Sequence, residues 1–552
     1  MSSKFPIIPA FVFALLAHSA HAADTGADGA NAHEFSPQVT ADDFAAHVRT
    51  LASDAFSGRA PDTDGEDRTT SYLRAELERI GLQPGIGDNW FQDVPVIAST
   101  VDVAHSRMEI AAGHGTRALK FGDDVVFATN TGQRELRLSN SALVFAGYGI
   151  DAPEQEWNDY AGVDVIGKTV VVLAGVPDAI RGTSWYSRYG YKLEEAARQG
   201  AAATLVVHDE DDAGFSWDYV TARASGTQFD LPIDDDPQPP TPVRAWISGP
   251  AADALFAAAG VSLRELRAAA GRRGFHAAPV GAARMSVVIA STVVGGRSRN
   301  VVAKLRGSRY PDEAVVYSAH WDHLGTHPSE AGDNIYNGAV DNATGVAALL
   351  EVAAQFADAA TKPERSVVFV LPTLEESGLL GSKYYTLHPA IPIAKTVVDI
   401  NFDALVPVGL ARDFVVVGLG MSDLDDVVRP FVIRQDRVLA AESRSEKDAF
   451  FRSDHLSFAR AGVPVLFMRG GTQARGVADP AASWNAYGKR YHTPADAFDP
   501  HWDLRGIVQD IEVSCAVGRK LASGHEWPNW HADSAFRATR DGTRAAAVVG
   551  LR

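Results

Sequence analysis

The stretch Ser366-Val367-Val368-Phe369-Val370-Leu371-Pro372-Thr373-Leu374-Glu375-Glu376-Ser377-Gly378-Leu379-Leu380-Gly381-Ser382 joins an unbroken apolar run to a pair of acids and a glycine-containing turn. A short, continuous β-branched run bounded by Pro and Gly reads as a strand buried on both faces. Similar runs flank it. Ala314 to Ala319 and Lys395 to Phe402 read as strands, as does Val463 to Met468, and Gly345 to Phe356 reads as an apolar helix between two of them. Strand and helix alternate through residues 297–525, which predicts an α/β domain with a mostly parallel sheet covered by helices. In such sheets ligands bind beyond the carboxyl ends of the strands.

Chemistry-bearing residues sit at those ends. His320-Trp321-Asp322 follows the first strand, and residues two apart in extended chain point the same way. His320 can thus hold a metal while Asp322 accepts its other ring proton, as metal-bound imidazoles require. His323 and His327 read as bystanders. Asp341, in Asn337-Gly338-Ala339-Val340-Asp341-Asn342-Ala343-Thr344-Gly345, stands just before the apolar helix. It reads either as a helix cap or as a carboxylate bridging two metals. Two adjacent acids after a buried strand, Glu375 and Glu376, are costly without a partner, and a metal centre supplies one. Asp403 ends a third strand, and His492 lies in the loop Tyr491-His492-Thr493-Pro494-Ala495-Asp496. Two histidines and three carboxylates suit zinc, with manganese or cobalt fitting the same donors. The single cysteine, Cys515, lies in an apolar helical pattern and reads as core, so cysteine ligation is excluded and no internal disulfide forms.

Taken in order, H-x-D, G-A-x-D-N-x-x-G, E-E-x-G-L-L-G-S, F-D and Y-H-T-P-x-D resemble metallopeptidase family twenty-eight. Its members include two-zinc aminopeptidases, glutamate carboxypeptidases, glutaminyl cyclases and a receptor branch. The resemblance covers residues 40–100 and 297–520. It implies the zinc exopeptidase fold, with two Zn2+ ions. Asp341 would bridge them, His320 and Asp403 would complete one site, and Glu376 and His492 the other. Glu375 would act as general base and then general acid on a bridging water, with Asp322 orienting His320. Val340 departs from the pattern, where the family has another Asp. Phe451-Arg452-Ser453-Asp454-His455-Leu456-Ser457-Phe458 resembles the segment lining the family's substrate cleft. There Asp454 would anchor a free α-amine, as in an aminopeptidase, or Arg452 a carboxylate, as in a carboxypeptidase. Trp484 and Tyr487 are candidate pocket walls.

The rest of the chain frames this domain. Residues 36–136 read as the N-terminal part of the peptidase domain. They begin with two helices, one starting near Thr40 and one stopping at Gly81. Residues 137–296 are rich in short β runs, with one clear helix from Lys192 to Gln199. Phe145-Ala146-Gly147-Tyr148-Gly149-Ile150, Asp159-Tyr160, Gly167-Lys168 and Ala196-Ala197-Arg198-Gln199-Gly200-Ala201 resemble an inserted protease-associated domain. Lys4, the apolar run Ile7 to Ala17 and Ala20-His21-Ala22 form the pattern of a signal peptide over residues 1–22, which predicts export to a periplasm or the exterior. No later run is long and apolar enough to span a bilayer. Residues 526–552 form a tail without a legible pattern. With 69 acidic against 51 basic residues the net charge is −18, which argues against nucleic acid or anionic membrane as partners and names no partner itself. The family resemblance is what implies a peptide substrate. Oligomeric state is not encoded legibly. The expected activity is a zinc-dependent aminopeptidase. The alternatives are a carboxypeptidase or dipeptidase of the same fold, a one-metal glutaminyl cyclase and a metal-free binding protein. Retention of Glu375 and both half-sites argues against the last two.

Overall fold

The structure is a computed structural model that describes residues 33–180, 184–213, 215–327, 332–442 and 449–549. Residues 1–22, expected to be a signal peptide, lie outside the described residues. The elements described all fall in the unit Ser36–Arg552, while residues 33–35 belong to a separate N-terminal unit.

Strand Arg365–Leu371, the quoted run, is buried throughout and lies between Tyr310–Ser318, which is parallel to it, and the end of the long strand Ala278–Leu305, which is antiparallel. Beyond Tyr310–Ser318 come Thr396–Phe402 and Val465–Gly470, both parallel again, and then Asp413–Val417, antiparallel. The centre of the sheet is therefore parallel and its flanks are antiparallel. Alternate side chains serve opposite faces, as a period of two requires. Val367, Phe369 and Leu371 pack with Val315 and Tyr317 into one core, and Val368 and Val370 pack with Ala314 and Val316 into another. This two-faced burial explains why the strands read as continuous apolar runs, each Val or Phe contributing about 1.5–3 kcal/mol.

Helices Ala41–Leu51, Asp64–Ile80, Thr344–Ala357 and Arg505–Ser523 cover the first core. The first is capped by Thr40, whose side chain accepts from Asp43 N, and the second ends at Gly81 with φ +90°. Cys515 is buried here, as expected of a core residue. The tail closes the second core. It forms helix Arg537–Val549 and buries Trp530 and Phe536.

A second sheet carries the β-rich block. Thr169–Leu173, Ala203–Val207 and Val243–Ile247 run parallel in it, beside Glu135–Phe145. It also takes in Arg107–Ala112, Gly115–Leu119 and Val125–Thr129. The second sheet thus starts at Arg107, ahead of the block boundary expected at 137, because hairpins at 107–129 pair with strands far along the chain. The two sheets share one strand. The first part of Ala278–Leu305 pairs with Arg107–Ala112 and Glu135–Phe145, and the last part with Phe91–Val101 and Arg365–Leu371. The block also lends strand Gln228–Asp230 to the first sheet, through Phe91–Val101.

Candidate metal centre

The parallel strands deliver the expected ligands to one place. His320 follows Tyr310–Ser318, Asp341 precedes Thr344–Ala357, Glu375 and Glu376 follow Arg365–Leu371, and Asp403 follows Thr396–Phe402. His492 enters from the loop after helix Ala482–Arg490. His320 Nε2 lies 3.3 Å from Asp341 Oδ1 and 3.7 Å from Asp403 Oδ1. His492 Nε2 lies 3.1 Å from both Asp341 Oδ2 and Glu376 Oε2. Asp341 thus offers one oxygen to each histidine. Its carboxylate does not cap the following helix. Asn342 takes that role, with Oδ1 accepting from Gly345 N at 3.0 Å.

The electrostatics are those of a site short of positive charge. Burial alone would lower His320, but Glu375, Asp341 and Asp403 outweigh it and hold the imidazole well above its ordinary value. Burial likewise opposes His492, yet Asp341 and Glu376 raise it to about 10. Burial works against Asp341 as well, and His320 and His492 overcome it and hold the carboxyl well below the usual range. Glu376 goes down to about 2 despite burial, through His323 and His492. Glu375 goes the other way. Burial lifts it, Glu376, Asp403 and Asp454 add to the rise, and His320 offsets only part. Protons here stand where cations fit. His320 Nε2 is buried with no hydrogen-bond partner among the described residues and faces two carboxylates. Among the described residues, one group of ligand atoms comprises His320, Glu375 and Asp403, and a second His323, Asp341 and Glu376. All-N/O donors of this kind suit zinc.

Several expectations need correction. Asp322 does not orient His320 through its carboxylate. That oxygen is 3.7 Å from Nδ1, and the nearer contact is the Asp322 backbone carbonyl at 3.1 Å. The carboxylate instead accepts from Glu375 N at 3.1 Å and Glu376 N at 3.4 Å, fixing the turn that carries both glutamates. Asp454 is fully buried, because its short helix His455–Arg460 is drawn in by Asn401 Nδ2 donating to Ser453 Oγ at 2.8 Å. Burial lifts its carboxyl to about 6, and its oxygens have no hydrogen-bond partner among the described residues. A substrate amine cannot reach it as it stands. Arg452 beside it is exposed. Trp484 and Tyr487 form a buried apolar cluster with Val340, Ala404 and Val406, so Val340 packs where the family pattern carries an acid. His323 is no bystander, with Nδ1 2.7 Å from Glu376 Oε1.

Three further residues escaped the sequence reading. Arg59 is buried beneath the site. Its Nε donates to Trp321 O, Nη1 to Leu51 O and Asn337 O, and Nη2 to Gly338 O, at 2.6–2.9 Å. It therefore ties together the loops carrying His320 and Asp341 across a separation in sequence that no local pattern spans. Asp496 accepts from Val340 N and Asp341 N at 3.1 and 3.0 Å. Its place in the Y-H-T-P-x-D motif was the available signal. Tyr491, exposed at the edge of the site, stacks on His492 at 3.8 Å between ring centroids, and partial desolvation there together with Asp341, Glu376, Glu375 and Asp403 nearby raises its phenol above the ordinary value.

Residues 300–515 match the sequence pattern of Peptidase family M28. Leupeptin-inactivating enzyme 1 of Streptomyces exfoliatus is 29% identical over 212 residues, which are 37% of this chain and 44% of that protein. Carboxypeptidase Q of Rattus norvegicus is 34% identical over 115 residues, 20% of this chain and 22% of that one. The chain thus spans less than half the length of these curated relatives. Among solved structures, an aminopeptidase from Aneurinibacillus sp. strain AM-1 aligns with a TM-score of 0.48 at 19% identity, over 88% of this chain and 95% of that one. The segment that matches Peptidase family M28, residues 300–515, carries all the ligand candidates gathered at the strand ends.

Proposed function

We propose that this protein is an exported zinc-dependent exopeptidase, an aminopeptidase that removes N-terminal residues from peptides. The observation that carries the reading is the convergence of His320, Asp341, Glu376, Asp403 and His492, with Glu375 beside them and His320 Nε2 buried, facing two carboxylates, with no hydrogen-bond partner among the described residues. Two zinc ions in this donor set would supply a Lewis acid for the peptide carbonyl and an acidified water. Asp341 would help hold both ions, since each of its oxygens faces a different histidine. Glu375 is partly exposed, and its backbone is pinned by Asp322, so its carboxylate is free to take a proton from water and return it to the leaving amine nitrogen. The Tyr491 phenol, held protonated, is a donor at the same edge.

The acid-rich surround favours a cationic amino terminus over an anionic carboxyl terminus. The exposed Arg452 favours the second reading, a carboxypeptidase or dipeptidase. In the β-rich block, Asp159 accepts from Tyr148 N and Ile150 N at 3.0 Å and from Trp157 Nε1 at 2.9 Å. That gives the F-A-G-Y-G-I motif a structural purpose and supports a protease-associated domain. No helix among the described residues is long and apolar enough to cross a membrane. Export rests on the signal pattern of residues 1–22.

The test is chromophore release from aminoacyl anilides with free amines, against N-acetylated partners, before and after chelation and zinc return. Cleavage confined to the free-amine set, lost on chelation and restored by zinc, is expected. Activity only on peptides with a free carboxylate would move the assignment to carboxypeptidase. Glu375→Gln should keep its metal and lose nearly all turnover, and an active variant would remove Glu375 from the mechanism.

A further inference from the structure

His323 lies one residue past Asp322 in the loop that carries His320, and its side chain is sealed from solvent. Nδ1 is 2.7 Å from Glu376 Oε1, while Glu376 Oε2 is 3.1 Å from His492 Nε2. These distances separate two roles. Ligand atoms bound to one tetrahedral zinc at about 2.0–2.1 Å sit roughly 3.3 Å apart. The His492–Glu376, His492–Asp341 and His320–Asp341 pairs, at 3.1, 3.1 and 3.3 Å, have that spacing. The His323–Glu376 pair is shorter and has the length of a charge-assisted hydrogen bond. A carboxylate only accepts, so Nδ1 carries the proton. His323 Nε2 is then a bare lone pair, which agrees with its being buried without a partner among the described residues.

The ring itself is fixed from behind. His323 N donates to Arg59 O at 3.2 Å. The imidazole lies against Gly338, where an added Cβ would meet His323 Cδ2 at 2.5 Å. Gly338 O in turn accepts from Arg59 Nη2 at 2.9 Å. Among the described residues the imidazole thus has one hydrogen-bonding partner in the site, Glu376.

Glu375 and Glu376 are neighbours of identical chemistry, and their backbone N–H groups are both held by Asp322. Something has to distinguish them. We propose that His323 is the positioning residue that does so. Its Nδ1–H clamps Oε1 of Glu376, aims Oε2 at the cation shared with His492 and Asp341, and leaves Glu375 free for proton transfer. This inference rests on the metallopeptidase reading above.

The test measures zinc stoichiometry and affinity of the full chain by competition with a chromophoric chelator. His323→Phe keeps the ring volume and removes the donor. His323→Asn keeps an amide N–H at the Nδ1 position. The Phe variant should bind one of the two ions about 10–100-fold more weakly, the range for losing an outer partner of a metal ligand. The Asn variant should stay within a few-fold of the parent. Equal affinities for the parent and the Phe variant would overturn the proposal. So would an Asn variant that loses the ion as the Phe variant does, since His323 would then be a ligand itself. Should the Phe variant fail to fold, His323→Gln, whose amide reaches the Nε2 position and not Nδ1, carries the same expectation. A parent chain that binds no zinc would remove the metallopeptidase reading and this inference together, whereas two ions bound equally by parent and Phe variant would remove this inference alone.

Discussion

Arg59 is a buried guanidinium that spends its donors on backbone carbonyls. Burial pulls it down to about 10, against the pull of Asp341, Asp496, Asp322 and Glu376. It therefore works as a brace and as a fixed positive charge behind an acidic site. Arg59→Met should cost about 3–5 kcal/mol, because the carbonyls of Leu51, Trp321, Asn337 and Gly338 lose their donor in a dry interior. Urea unfolding of the chelated protein measures this, and a loss under about 1 kcal/mol would contradict the brace. A second buried amine sits on helix Tyr189–Arg198 of the β-rich block. Lys192 Nζ donates to Tyr148 O at 2.6 Å and Gly175 O at 2.8 Å, and burial pulls it from 10.5 to about 7 against Asp159 and Asp212. Between those two values the unfolded chain holds a proton that the folded chain lacks, so this group's contribution to stability rises with pH. The Tm difference between the parent and Lys192→Met should shift in the parent's favour from about pH 6 to about pH 9. A pH-independent difference would mean that the ammonium is not desolvated.

At the scale of elements, the strands Thr169–Leu173 and Ala203–Val207 fall where their apolar runs predict, and the helix starting after Thr40 has its expected cap. The tail was illegible for a physical reason. Helix Arg537–Val549 is rich in Arg, Ala and Thr and owes its place to a few contacts made far away in sequence. Trp530 Nε1 donates to Gly462 O at 3.0 Å, Arg540 Nη2 donates to Thr396 O at 2.9 Å, and Phe536 packs against Phe450. Trp530→Ala should therefore destabilise by about 3–5 kcal/mol, the cost of emptying a large buried site. Thermal melts of the chelated variant check this. A change within about 0.5 kcal/mol would mean that the tail only rests on the surface.

At the scale of the molecule, the two sheets are one mechanical unit. Strand Ala278–Leu305 runs through both over 28 residues. The β-rich block is also tied down by Lys383 with Asp236 at 2.7 Å and by Arg460 with Glu194 at 3.2 Å, and Trp185 stands 5.8 Å from Phe451 between ring centroids. Removing residues 137–290 would strip partners from the shared strand and from Arg107–Ala112, leaving open sheet edges. The deletion should fail to give a cooperative thermal transition. A deletion that melts like the parent would show that the peptidase sheet folds without the block.

The sequence by itself determined the alternation of buried strands and helices, the placing of acids and histidines at strand ends, and hence the match of residues 300–515 to Peptidase family M28. Those features are local. A period of two, a run of β-branched residues and a polar residue just past it are all written within a few positions. Only the tertiary structure decided that the two sheets share a strand, and that Asp322 holds a turn and not a histidine. It likewise decided that Asp454 is sealed, that Arg59 braces the loops and that His323 grips Glu376. Each of these depends on which atoms meet across tens or hundreds of residues, where hydrogen bonds form only at about 2.7–3.2 Å and burial is set by elements remote in the chain.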